Sequence, residues 1–155
     1  MAIPSLELAD VLRRTAKRID SGKSNYDWKH IGICNCGNLV QIVTGKNKRQ
    51  IYESGRQKHG DWEMLTYLFK ENSSYEIDKI IKAMLDFGFS LEDIVNLENL
   101  SCPRVLSRLP KERQYPKRDR REDVILYLET WAEMIEEELL EKTAIKETDF
   151  AGILI

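Results

Sequence analysis

Apolar residues near the start of the chain recur at intervals of three and four, the spacing of one face of an α-helix. Ser5 follows Pro4 and is typical of a residue that caps a helix N-terminus, while Ser21-Gly22 ends the pattern. We therefore predict a first helix over residues 5–20. The positions on its buried face are Leu8, Ala9, Leu12, Ala16 and Ile19.

The next apolar run, residues 39–43, is too short for periodicity to separate a strand from a helix. We favour a helix over residues 37–44, because Gly45 stands where a C-terminal cap glycine belongs. A second short helix is predicted over residues 47–54, stopped by Gly55.

Capping residues mark the helices that follow. Asp61 is a predicted N-cap for a helix from Trp62 to about Lys70, and Pro103 opens another turn or two. The spacing of Ser73 to Glu76, and of Ser90 to Asp93, matches the capping box, in which the two side chains satisfy each other's free backbone N–H groups.

The last helix has the longest apolar stripe, and it follows a charged connector, residues 110–121, bounded by prolines. Residues 142–155 form a C-terminal tail that ends in an apolar stretch, residues 150–155. The stripe and the residues that broaden it are Val124, Leu128, Trp131, Ile135 and Leu139, with Ile125, Ala132 and Leu140.

These elements predict the fold class: an all-α, compact domain of about seven helices with a long C-terminal helix, formed as a single domain by residues 1–155. The 4 prolines and 8 glycines leave few turns for a β-sandwich, which needs one every 8–12 residues. No apolar run approaches the roughly 20 residues of a membrane span. Three cysteines make a poor disulfide framework, so we expect a soluble protein in the cytoplasm.

Charge is unevenly distributed along the chain, although the net charge is only −2. Residues 1–60 carry a net charge of +6, and residues 123–155 carry −7. Such asymmetry is expected if the two ends pair with each other, or if the first half presents a basic binding face. The apolar tail adds a partner hypothesis: association with another protein or a second copy through the last helix and tail.

A cluster of soft ligands, His30, Cys34, Cys36 and His59, gives the first chemical hypothesis. Thiolate and imidazole are zinc's preferred ligands, and four of them complete a tetrahedral site. Cys102 could replace either histidine. The cysteines are separated by one residue, whereas structural zinc sites space them by two to four. Zinc or iron is the cofactor class that this interpretation implies.

A reactive thiol is the second hypothesis. If a helix begins at Cys36, its sulfur lies among free backbone N–H groups, which would lower the thiol's pKa. His59 would act as base, and Asp61 would orient it. The alternative to both hypotheses is structural, since free cysteine is among the most buried residues and packs as a small apolar side chain.

Nucleic acid is not the partner that the sequence favours. Arg56, Lys58, His59 and the connector are basic and include Tyr115, but the pI is about 5.8 and the connector also carries acids. The leading interpretation is a binding or self-associating all-α protein that acts without catalysis. A thiol enzyme and a metal-binding protein remain the alternatives.

Overall fold

The computed structural model describes residues 2–22, 25–58 and 60–153, with side chains up to residue 144. These residues form eight α-helices and no strand, so the all-α class predicted from the sequence is confirmed. The helices are α1 (Leu6–Asp20), α2 (Asn35–Thr44), α3 (Lys48–Arg56), α4 (Trp62–Tyr67), α5 (Glu76–Phe87), α6 (Leu91–Asn99), α7 (Pro103–Leu106) and α8 (Arg121–Ile153).

Most of the predicted caps are present. The Ser5 hydroxyl accepts the Leu8 N–H, and Ser90 and Asp93 form the expected capping box. Residues 37–44 lie in a helix, as favoured, and Gly45 ends it with φ +74°, a conformation that glycine adopts without strain. Asp61 caps α4 by accepting the Met64 N–H at 3.0 Å.

Three predicted boundaries are wrong. Helix α3 continues through Gly55 to Arg56, because the absence of a side chain at Gly55 lets Ile31 pack against it: a Cβ there would lie 2.0 Å from Ile31 Cδ1. Helix α4 ends at Tyr67, short of Lys70. The capping box at Ser73 does not form, since Ser73 accepts the N–H of Tyr75 at 3.0 Å and α5 has no side-chain cap.

The core is built where α1 lies along α8. Most of the predicted stripe of α8 is buried, but Leu140 is wrong as a core residue, because 70% of it is exposed. Met134, whose helical spacing also predicts a core position, is buried, and so is Tyr127, which the stripe does not include. The asymmetric charges of the chain also meet here, since Arg13 of α1 pairs with Glu136 of α8 at 2.7 Å.

The segment between α1 and α2 crosses close over α2 and α3. A Cβ at Gly37 would lie 2.2 Å from the Ile31 carbonyl oxygen, and one at Gly32 would lie 2.5 Å from the Lys48 carbonyl oxygen. Trp62 of α4 donates its indole N–H to the same Ile31 oxygen at 2.9 Å. Contacts this short require glycine at both crossings and fix the segment against three helices.

A buried ion pair joins the end of α3 to α5. Lys58 Nζ lies 2.8 Å from Asp78 Oδ2, and the Asp78 side chain is 2% exposed. Lys58 also donates to the Leu68 carbonyl oxygen at 3.1 Å, so one ammonium holds the residues after α3, the end of α4 and the start of α5 together.

Helix α8 runs beyond the packed body. From residue 140 to residue 144 every side chain that the structure describes is exposed. Most of the predicted tail, residues 142–155, therefore continues α8, although its side chains beyond residue 144 lie outside the described part. No described helix combines the length and the apolar character needed to cross a membrane.

Candidate functional site

Cys34 and Cys36 lie at the start of α2, and both thiols make structural contacts there. Cys34 is the N-cap residue, and its sulfur accepts the Gly37 N–H at 3.3 Å. Cys36 is the second residue of the helix, and its thiol donates to the Ile94 carbonyl oxygen at 3.3 Å. The side chains are 1% and 2% exposed, so both thiols belong to the contact between α2 and α6.

A buried carboxylate, Glu98, faces the two thiols. Cys34 Sγ lies 3.6 Å from Glu98 Oε2, and Glu98 is 3% exposed. Burial and the charge of Glu98 raise the pKa of the Cys34 and Cys36 thiols well above their usual range, and burial likewise raises the pKa of Glu98. The lowered pKa expected for Cys36 is therefore wrong: the helix does begin there, but desolvation outweighs its dipole.

Two asparagines of α2 fasten this region to its neighbours. Asn35 Nδ2 donates to the Leu97 and Glu98 carbonyl oxygens of α6, at 2.5 and 3.1 Å. Asn38 Nδ2 lies 2.8 Å from both the Asn25 and the Ile33 carbonyl oxygens. Both residues are fully buried, so α2 holds α6 on one side and residues 25–33 on the other.

His30 and Asp61, which the two chemical hypotheses include, make their contacts away from the cysteines. His30 turns toward α3, where its Nδ1 accepts the Gly32 N–H at 2.9 Å and its ring centroid lies 4.9 Å from that of Tyr52. Asp61 caps α4, and His59 lies outside the described residues. Within the part of the chain that the structure describes, no group of three or more His, Cys, Asp or Glu residues could hold a metal ion, Cys102 included.

A groove lies between residues 26–33 and the start of α8. Its volume is about 680 Å³, within the range of small-molecule sites, roughly 300–1,000 Å³. We call it the Trp28 groove. One wall consists of Tyr26, Asp27, Trp28 and Ile33, and the other of Asp119, Arg120, Arg121 and Glu122.

Buried polar contacts hold both walls in place. In the first wall, Gln41 Nε2 donates to the Gly32 carbonyl oxygen at 2.6 Å, beside the contacts from Asn38. In the second, Asp123 Oδ2 accepts the Lys117 N–H at 3.0 Å, and Asp123 Oδ1 lies 2.6 Å from Arg113. The Tyr26 hydroxyl donates to the Arg118 carbonyl oxygen and so ties one wall to the other.

Arg118 links the rim of the groove to the buried carboxylate. Its guanidinium carbon lies 5.2 Å from the centroid of a Trp28 ring, and its Nη1 lies 3.8 Å from Glu98 Oε1. Lys29 Nζ lies 5.4 Å from a Trp28 ring as well. The half-buried indole thus carries two cations, an arrangement that is favourable because the ring face is electron-rich.

The groove could not be predicted from the sequence. Trp28 lies in the connection between α1 and α2, and the charged connector has no spacing that would predict a groove beside it. No pattern placed Glu98 beside the cysteines, because the spacing of the three carboxylates in the short helix α6 does not single out one of them. Asn35 and Asn38 were visible as neighbours of the cysteines, three residues apart, which puts them on one helix face.

Comparisons of the chain with protein-family models, with curated proteins and with solved structures returned no match of any kind.

Proposed function

We propose that the protein is a binding protein that acts without catalysis, and that it takes a small polar ligand in the Trp28 groove. The observation that carries this proposal is the groove itself: about 680 Å³ between an irregular segment and the start of α8, both supported by a helical body. Binding residues concentrate on such segments, because a rigid scaffold positions them while leaving them accessible.

The fixed walls favour ligand binding over a merely loose surface. Each wall is held by hydrogen bonds from fully or nearly fully buried side chains, among them Asn38 and Gln41. A site whose walls are already ordered loses less conformational entropy when a ligand enters. The buried polar groups of α2 therefore have a use in this proposal, which is to hold the first wall rigid.

The state of the thiols supports a role without catalysis. A nucleophilic cysteine needs a thiolate and access to substrate, whereas Cys34 and Cys36 are buried with raised pKa values. Their sulfurs already serve α2, as its cap and as its contact with α6. The cytoplasmic location inferred from the cysteine count stays part of the proposal.

Heteronuclear NMR tests the proposal directly, because the indole N–H of each of the three tryptophans gives a separate signal. We expect members of a library of small polar compounds to shift the Trp28 signal, while the signals of the buried Trp62 and Trp131 stay in place. The variant Arg121→Gln should lower the affinity of the protein for these compounds. The matched control is Tyr67→Ala, which changes an exposed aromatic residue on α4 and should leave the affinity unchanged.

Two results of this experiment would contradict the proposal. If no compound shifts the Trp28 signal at millimolar concentration, the groove is not a ligand site. If the same compounds bind Arg121→Gln and the unaltered chain equally well, the ligands sit elsewhere and the proposal is also contradicted.

Self-association is the second candidate function, favoured by the exposure of α8. Leu140 is 70% exposed on a helix that continues past the body, and an exposed leucine there suits contact with a second copy or another protein. We expect Leu140→Lys to shift a dimer toward monomer in sedimentation, while Thr143→Lys, exposed one turn away, shifts it less. A monomeric full-length chain would remove this candidate.

A further inference from the structure

The second wall of the Trp28 groove carries four consecutive charged residues. Asp119 and Glu122 are acidic, whereas Arg120 and Arg121 are basic, so the wall has no net charge. Among the described residues, none of the four makes an ion pair within 4.0 Å, although Arg113 and Arg118 nearby are both paired. Two positive and two negative groups therefore line the same groove without neutralising one another.

Arg121 adds a second, independent observation. Its Nη1 is shielded from solvent and has no hydrogen-bond acceptor among the described residues. A buried donor without an acceptor is costly, and the cost is larger for a charged group than for a neutral one. Arg121 also lines the groove, so those of its guanidinium nitrogens that are open to solvent can meet an oxygen acceptor there.

The first wall presents a different chemistry to the ligand. It carries the Tyr26 and Trp28 rings and the Ile33 side chain, which together suit an apolar or aromatic group. Its one acid, Asp27, already accepts the Lys29 N–H at 3.0 Å. The groove therefore offers an apolar, aromatic wall opposite a wall of mixed charge.

We propose that the ligand of the Trp28 groove is a free, zwitterionic aromatic α-amino acid. Its carboxylate is bound by Arg121 and Arg120, its ammonium by Asp119 or Glu122, and its ring packs against the first wall. This inference rests on the proposed binding function and names its ligand class.

Other ligand classes fit the groove less well. A phosphate dianion would gain the two arginines but would also face Asp119 and Glu122. A simple cation would gain the acids and face the arginines. Only a molecule with both charges a few ångströms apart satisfies both sets of side chains, because opposite charges attract and like charges repel at these distances.

A titration series of matched probes tests the inference. L-Phenylalanine carries both charges, N-acetyl-L-phenylalanine carries only the carboxylate, L-phenylalaninamide carries only the ammonium, and phenyl phosphate is a dianion. We expect L-phenylalanine to shift the Trp28 indole signal with an affinity at least about tenfold higher than each other probe, since a charged hydrogen bond contributes roughly 1.5–3 kcal/mol. L-Alanine should bind more weakly than L-phenylalanine, because it lacks the ring.

Variants locate the two charges. Arg121→Gln should reduce L-phenylalanine affinity about tenfold or more and leave that of L-phenylalaninamide nearly unchanged. The double variant Glu122→Gln with Asp119→Asn should lower the affinity for L-phenylalaninamide. It should leave the affinity for N-acetyl-L-phenylalanine nearly unchanged. Arg49→Gln, an exposed arginine on α3, is the control for a change of net charge.

The outcomes separate this inference from the proposal on which it rests. If N-acetyl-L-phenylalanine or phenyl phosphate binds the groove as tightly as L-phenylalanine, the zwitterion is wrong and the binding function stands. The same holds if library compounds shift the Trp28 signal but L-phenylalanine does not. If no compound of either set shifts that signal, both proposals fall.

Discussion

Residues 26–33 pack so closely on α2 that a single added methyl group would disturb the contact. Gly37 and Gly45 are both glycines of the α2 region, yet they are required for different reasons. Gly37 lacks space, because backbone atoms lie within 2.5 Å of where a Cβ would stand. Gly45 has open space but a positive φ of 74°.

We therefore expect Gly37→Ala to lower the free energy of unfolding by about 3 kcal/mol, the upper range for overpacking, because backbone cannot move aside as a side chain can. Gly45→Ala should cost about 1 kcal/mol, the penalty of the left-handed conformation for a residue with a Cβ. Urea denaturation of both variants measures the two values. Equal losses would contradict the role assigned to the crossing at Gly37.

The thiols allow a second prediction at this scale. Cys34 and Cys36 are buried with raised pKa values, whereas Cys102 is partly exposed. We expect a thiol reagent to modify at most Cys102 in the folded protein at neutral pH, and all three cysteines only after unfolding. In the variant Cys102→Ser, one fast-reacting thiol in the folded state would revive the hypothesis of a catalytic Cys36.

Much of this residue-scale detail was out of reach from the sequence. The pattern placed Cys36 at a helix start and implied a reactive thiol, but the sign of the pKa shift depended on burial. That burial comes from Ile94 and Glu98, about sixty residues away in the chain, which no local spacing reveals.

Helices and their ends were more predictable, because caps are local in sequence. Ser5, Ser90 and Asp61 each cap the helix that was expected. Ser73 has the same spacing to an acid as Ser90, yet it forms no capping box. Two identical local patterns therefore have different outcomes, since tertiary contacts choose among a serine's available partners.

The Lys58–Asp78 ion pair gives a prediction at the scale of elements, since it joins α3, α4 and α5. Burial opposes the charge on Asp78, but hydrogen bonds from Lys58 and Ser73 outweigh it and lower the pKa of that carboxyl. A lowered pKa in the folded state stabilises the fold above the unfolded-state pKa of about 3.9. This stabilisation is lost as the pH falls through the folded-state value.

We expect Asp78→Asn to lower the free energy of unfolding by about 3 kcal/mol at pH 7, because it leaves a buried ammonium without its partner. The difference from the unaltered chain should shrink as the pH is lowered from 5 toward 2. Denaturant titrations across this range measure it, with Asp86→Asn as control, since Asp86 makes an exposed ion pair. A difference independent of pH would contradict the assignment.

At the scale of the whole molecule, the charge asymmetry of the sequence is partly accounted for within the chain. Arginines outside α8 pair with its acidic face: Arg13 with Glu136, Arg104 with Glu138, and Arg108 with Glu137. The sequence left open whether the basic half serves a partner or the chain itself. Of these three arginines only Arg13 belongs to the basic residues 1–60, so its pair with Glu136 accounts for one of that region's positive charges.

These three pairs are exposed, so their contribution to stability should be small and sensitive to salt. We expect the combined change of Arg13, Arg104 and Arg108 to glutamine to cost roughly 1–2 kcal/mol at low ionic strength, and much less in 1 M NaCl. Thermal unfolding at the two salt concentrations measures this. A loss that salt does not reduce would show that packing of the arginine stems matters more than their charge.

The link between the Tyr26 hydroxyl and the Arg118 carbonyl oxygen joins residues 92 positions apart in the chain. Contacts of such long range raise the contact order and require most of the chain to be assembled. The two walls of the groove therefore come together only in the native state, and partly unfolded forms contain no binding site. A ligand of the groove would then stabilise the native state as a whole, by RT ln(1 + [L]/Kd), so the melting temperature should rise with the logarithm of [L]/Kd once ligand is in excess.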